Sequence, residues 1–224
     1  MTTDSGRPVS DTIARLLERC TATCQLWSQQ EEGPYRRGDQ PARRDITDGR
    51  PGTPLAVGLL LRTDRGDAVD DAEVEVWHCD ALGRYSGYPP PDLDTVVTAE
   101  TAPQVQYLPE ETFLRGSQAV DAAGRVEFRT IYPGWYPGRT VHIHVAVRVG
   151  TTRFISQLYF PQERTSAVLA RPPYREHGTP DTTNGTDEIF PTGGDPAVLD
   201  IVDDGDGTLL AGLCLILPDT SEGP

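Results

Sequence analysis

Histidine is scarce in this chain, with four among 224 residues, and cysteine is equally so. Missing altogether is any apolar run near the ~20 residues that carry a helix across a bilayer, so no membrane partner is expected. Basic side chains are outnumbered, 20 against 34 acidic ones, and the net charge of −14 repels phosphate backbones and anionic lipid. Nucleic acid is therefore not an expected partner either. No C-x-x-C pair occurs, and four scattered cysteines make no disulfide framework. Cys79 and Cys214, in strand-like runs, are expected as buried thiols, and Cys20 and Cys24, at helical spacing, as reduced thiols. The opening MTTDSGRPVSDT has neither the basic nor the apolar stretch of a secretory signal. The expected location is the cytoplasm, or outside the cell where a signal precedes this sequence.

What is present points to strands. The 20 prolines and 22 glycines punctuate short Val/Leu/Ile runs, the pattern of an all-β antiparallel β-sandwich with long loops. Such runs occur at 55–62, 72–79, 124–131, 141–149, 153–160 and 208–217. In AEVEVW, period-two alternation predicts Val74 and Val76 inside and Glu73 and Glu75 outside. Ser10 can cap a short helix reaching about Trp27. The chain divides into an N-terminal helical segment (1–30) and a sandwich domain (31–224), with no internal repeat. A Pro/Gly/Asp-rich region, 161–207, is too long for a connector and is expected to cover one end of the sandwich. Its DDGDG (203–207) lacks the spaced ligands of a calcium loop and reads as a turn.

Two of the four histidines fall one residue apart in GWYPGRTVHIHVAV (134–147). On a strand, residues i and i+2 share a face about 7 Å apart, so His142 and His144 look into one small volume. They are either a solvated pair or a shared ligand site. Tyr136 lies just upstream on a Pro/Gly turn, and Tyr85 sits on the loop leaving the EVEVW strand. Two phenolates with two imidazoles suit a hard trivalent cation, ferric iron, better than a softer divalent one.

Three stretches resemble the intradiol ring-cleavage dioxygenases. VEVWHCDALGRYSGY (74–88) is similar to the family's V-x-x-W followed eight residues later by a ligand Tyr. TFLRGSQAVDAAGRVEFRTIYPGWYPGRTVHIH (112–144) resembles its strand, PG-x-Y turn and R-x-x-H-x-H. FISQLYF (154–160) carries a glutamine where the family has one. With EEGPYRRGDQPARRDI and RPGTPLAVGLLL, the resemblance covers roughly residues 30–217.

The resemblance implies a β-sandwich enzyme with non-haem Fe(III) held by Tyr85, Tyr136, His142 and His144. Its implied reaction opens a catechol between the two hydroxyls with O2, giving a cis,cis-muconate-type diacid. Tyr136 would take a substrate proton and Arg139 would stabilise charge on the ring; Gln157 and Tyr35 are candidate substrate contacts. Trp77 would pack beneath the metal loop, and His78, on the other strand face, would be solvated. The expected partners are a catechol and O2, with a homo-oligomer left open because no long N-terminal dimerisation segment is visible. Only Pro137 and Gly138 separate Tyr136 from Arg139, which predicts an open side to the pocket. Two other classes compete: a non-catalytic binding module, and a zinc hydrolase using His78, His142 and His144.

Overall fold

The protein is described by a computed structural model covering residues 8–38, 40–96 and 110–218. Helix α1 (Asp11–Cys20) starts where its sequence says, with the Ser10 hydroxyl accepting a hydrogen bond from the Ile13 amide. Ile13, Leu16 and Leu17 form its buried stripe and pack on Ala56, Leu60 and Leu210 of a sheet. The approach is close: a Cβ on Gly58 would run into Ile13, and one on Gly212 would crowd Leu16. The helix ends at Cys20, short of the expected Trp27, because a 3-10 turn (Thr21–Thr23) redirects the chain into β1 (Gln25–Leu26).

Two sheets form the sandwich. One runs β1-β9-β2-β5, with β2 at Pro54–Arg62, β5 at Arg125–Ile131 and β9 at Leu209–Ile216; β8 (Asp200–Asp203) also pairs with β9. Pairing is parallel for β1–β9 and β2–β9 and antiparallel elsewhere. The other sheet is antiparallel throughout, in the order β4-β3-β6-β7, with β3 at Ala72–Trp77, β4 at Arg115–Ala119, β6 at His142–Val149 and β7 at Thr152–Tyr159. The all-β sandwich with a short N-terminal helix is thus the observed fold.

Between the sheets, Val74, Val76, Ile143, Val145 and Val147 meet Leu55, Val57, Leu59 and Phe128 in one apolar core. Each such side chain contributes roughly 1.5–3 kcal/mol by leaving water. Glu73 and Glu75 point out as the alternation predicts and pair with Arg148 and Arg36.

Region 161–207 is not a plain loop. It holds α2 (Gln162–Leu169), three short 3-10 turns and β8, and DDGDG forms the β8–β9 turn, with Asp203 and Asp206 accepting from the amides of Gly205 and Thr208. The cysteine expectation needs correction: Cys24 and Cys214 are joined in a disulfide, because β1 lies beside β9 and brings the two residues together. Cys20 and Cys79 are free and buried. Among the described residues, no helix is long and apolar enough to cross a membrane.

Candidate metal centre

Alternation along β6 sends Ile143 and Val145 into the core and His142 and His144 to the opposite face of the same sheet. That face is covered, since His142 is 2% exposed and His144 0%. Register sets their neighbours: Tyr159 lies opposite His142, while Trp77 and Gln157 flank His144 on either side. The Trp77 indole stacks on the His144 ring, 5.0 Å between centroids and 2° from parallel, so Trp77 packs beneath the site as expected.

Two loops roof the pair. In the loop after β3, the Asp80 carboxylate accepts from the amides of Leu82 and Arg84 and tightens the turn that presents Tyr85. Tyr35, from the segment before β2, stacks on Tyr85 at 4.2 Å and meets Tyr136 edge-on at 5.8 Å. Tyr136 and Arg139 bracket a tight turn, in which Gly138 takes the left-handed corner (φ +84°) and the Arg139 amide donates to the Tyr136 carbonyl at 3.3 Å. Proline followed by glycine is the sequence such a turn calls for, and it puts the phenol and the guanidinium side by side.

At the centre, His142 Nε2 lies 3.1 Å from His144 Nε2 and 3.3 Å from the Tyr136 hydroxyl. His142 Nδ1 is 2.7 Å from the Thr140 carbonyl, so that nitrogen carries the proton and Nε2 presents a lone pair. The Tyr85 hydroxyl, buried and without a hydrogen-bond partner, lies on a ring 5.7 Å from that of Tyr136. Burial, reinforced by the Arg139 charge, depresses His142 to about 3. Burial and then His142 hold His144 well below the usual imidazole range. Burial pushes Tyr136 up to about 12, against the lowering effect of Arg139, and lifts Tyr85 well above the ordinary phenol value.

Two neutral imidazoles and two phenols that ionise only beside a cation therefore converge on one dry spot. An unpaired buried polar atom costs about 1–3 kcal/mol, a cost that a cation bound among these donors would offset. The donor set fits a hard trivalent ion.

Arg139 lies at the edge of this cluster. Its Nε donates to Asp187 at 2.9 Å and its Nη2 to the Gln157 amide oxygen. That oxygen also accepts from Tyr159 at 3.0 Å, and Gln157 Nε2 donates to the Glu31 carbonyl at 3.1 Å. Gln157 is thus engaged with Arg139 and the roof, and Tyr35 lies within the aromatic cover.

His78 differs from expectation. It is fully buried, with Nδ1 2.8 Å from the Cys79 carbonyl and Nε2 2.7 Å from Thr130 Oγ1, so it is neither solvated nor free to ligate. Among the described residues no three of His, Cys, Asp and Glu are grouped to share an ion, which removes the zinc arrangement. His177 bonds the Trp135 carbonyl at 3.0 Å.

The Tyr136–Arg139 turn is not left open. Val96 packs against Gly138, the Gly138 amide reaches the Asp181 carboxylate at 3.1 Å, and Thr140 Oγ1 is 2.7 Å from Asn184 Oδ1. Region 161–207 does cover this end of the sandwich. Asp181, Asn184 and Asp187 carry no motif or periodicity, and nothing in the sequence marks them as neighbours of Arg139.

A family model described as a dioxygenase matches residues 28–168. Chlorocatechol 1,2-dioxygenase of Cupriavidus pinatubonensis is 26% identical over 174 residues, 68% of this chain and 59% of that protein. The chain therefore spans less than two thirds of the length of such curated relatives. Among solved structures, an intradiol ring-cleavage dioxygenase from Tetranychus urticae is 29% identical, with a TM-score of 0.76 over 86% of this chain and 94% of that one. The dioxygenase domain of a carbohydrate-binding fusion from Streptomyces sp. SirexAA-E is 26% identical, with a TM-score of 0.60 over 87% of this chain and 99% of that domain. With the match spanning well over half of its residues, the chain belongs to the intradiol ring-cleavage dioxygenase family of enzymes.

Proposed function

We propose that this chain is a non-haem Fe(III)-dependent dioxygenase that opens a catechol-type ring between its hydroxyl-bearing carbons, consuming O2 and yielding a cis,cis-muconate-type diacid. Tyr85, Tyr136, His142 and His144 are the ligands in this reading. The observation that carries it is the meeting of two imidazole Nε2 edges 3.1 Å apart with the Tyr136 hydroxyl and an unpartnered Tyr85 hydroxyl, all buried. When bound there, ferric iron supplies Lewis acidity toward phenolic oxygens.

The protein's own groups then have distinct duties. The Tyr136 oxygen accepts one catechol proton, and its place beside Arg139 favours the phenolate that does so. Arg139 keeps its positive charge and stabilises negative charge on the ring, while Gln157 holds Nη2 in place. Tyr35, Tyr85 and Trp77 keep water from the reacting atoms by covering the site. The Cys24–Cys214 disulfide favours an oxidising compartment over the cytoplasm.

The test is elemental analysis and visible spectroscopy of purified protein, followed by oxygen uptake with a panel of catechols of increasing size. Iron near one per chain, a red to burgundy colour and muconate-type products are expected. A colourless protein that takes up no iron and consumes no O2 sinks the reading and leaves a binding module in its place.

A further inference from the structure

The Arg139 guanidinium is held from behind by a residue that lies 48 positions further along the chain. Asp187 has a side chain with 0% exposure, and every hydrogen bond it accepts is directional. One oxygen, Oδ2, accepts from Arg139 Nε at 2.9 Å and from the Thr140 amide at 2.8 Å. The other, Oδ1, accepts from the amides of Ile189 and Phe190, both at 2.8 Å. The carboxylate is thus fixed by the backbone of its own segment and in turn fixes the backbone and side chain of the Arg139–Thr140 step.

The same peptide continues into the metal cluster, because the Thr140 carbonyl holds His142 Nδ1 at 2.7 Å. With Nε on Asp187 and Nη2 on Gln157, the guanidinium is held on two of its edges.

We propose that Asp187 is a positioning residue that sets the direction of the Arg139 guanidinium and of the Thr140 carbonyl behind His142, so that charge stabilisation and proton-acceptor geometry depend on it. This rests on the dioxygenase reading above and adds to it a residue with no motif. Chemistry favours a carboxylate here: four N–H donors converge on two oxygens, and Arg139 needs a counter-charge in a dry site. An amide cannot substitute, since its –NH2 group would face either Arg139 Nε–H and Thr140 N–H or the Ile189 and Phe190 amides.

The experiment is a double-mutant cycle on the iron-loaded protein using Asp187→Asn, Arg139→Gln and both together. The readouts are kcat/KM for catechol, the Kd for 4-nitrocatechol from its visible spectrum, and iron content. The double variant leaves no uncompensated buried charge, so it reports even where a single variant folds poorly. Asp187→Asn should lower kcat/KM about 10²-fold, as a displaced catalytic group does, and weaken 4-nitrocatechol roughly tenfold, the worth of a charged hydrogen bond. In the Arg139→Gln background the same change should matter several-fold less, because the guanidinium is gone and only the Thr140 backbone is left for Asp187 to hold. Asp187→Glu, which keeps the charge but displaces it by a methylene, should recover part of kcat while leaving KM near the Asn value.

Losses that multiply across the cycle, or an Asp187→Asn protein with wild-type turnover and wild-type 4-nitrocatechol affinity, overturn the proposal while the dioxygenase reading stands. A wild-type protein that takes up no iron overturns both.

Discussion

Strand β6 has two buried faces built on opposite rules. Ile143, Val145 and Val147 point between the sheets into an apolar core. His142, His144 and Ala146 point the other way and are as deeply buried, yet the cover there is made of loops, aromatic rings and hydrogen-bonded polar groups. The first face is buried by sheet packing, which any well-shaped apolar residue satisfies. The second is buried by chain segments that come from far away in sequence, namely Tyr35, the Tyr85 loop and 181–187. Burial on the first face stabilises the fold; burial on the second lifts phenol pKa values, lowers those of imidazoles and leaves donors facing one another. The two faces should therefore respond differently when single side chains are removed.

The largest separation is expected from His144→Ala, which should lose most of its iron and more than roughly 10³-fold in kcat/KM while its unfolding midpoint moves little. Iron content per chain and chemical denaturation measured on the same preparation check this. Ile143→Ala, one residue away, should do the reverse: about 2–5 kcal/mol of stability lost to a cavity, with iron per folded chain unchanged. An Ile143→Ala protein that also sheds its iron would merge the two faces into one unit.

A third prediction uses His78, buried between the sheets and lowered by burial from 6.5 to about 4. Its folded-state pKa lies below its unfolded one, so the unfolded chain binds the proton first. The contribution of the neutral ring is complete above about pH 6.5 and is lost as pH falls toward 4, a change on the order of 3 kcal/mol. Urea midpoints at pH 7 and pH 4.5 should fall more steeply for wild type than for His78→Gln, and equal slopes would remove His78 as a source of acid sensitivity. The smallest effect is expected from Tyr136→Phe, which should keep its iron, alter the visible band and slow kcat by roughly 10²-fold. Unaltered absorption in that variant would take Tyr136 out of the ligand set.

The division between the faces also explains what could be read in advance. Period-two alternation gives β3 and β6 and says which residues share a face, and H-x-H, the Pro-Gly turn and the Trp77-to-Tyr85 spacing bring the cluster together on paper. Strand β4, RGSQA, escapes the same method because its residues are small, polar or charged. It is a strand through its neighbours: it pairs with β3, and Arg115 is buried with Nε on Ser86 Oγ. Helix α1 was legible at its cap and not at its end, since pairing of β1 with β9 overrides the continuing helical spacing. Asp187, the Cys24–Cys214 bridge and Gln30, whose side-chain oxygen accepts from the Gln157 amide, were illegible for one reason. Each acts across more than 45 positions of chain, and local pattern carries no information about such pairings.

In the proposed reaction the state of the cysteines has a consequence for survival during turnover. Catechols oxidise in air to ortho-quinones, electrophiles that arylate thiolates and amines. Two of the four cysteine sulfurs are tied up in the Cys24–Cys214 bridge, and the thiols of Cys20 and Cys79 are buried, with burial the main cause raising both above the ordinary thiol value. A thiol kept protonated and out of reach is a poor nucleophile. The sequence contains no lysine, every one of its 20 basic side chains being arginine. The folded chain thus offers such by-products no exposed side-chain thiol or amine to attack.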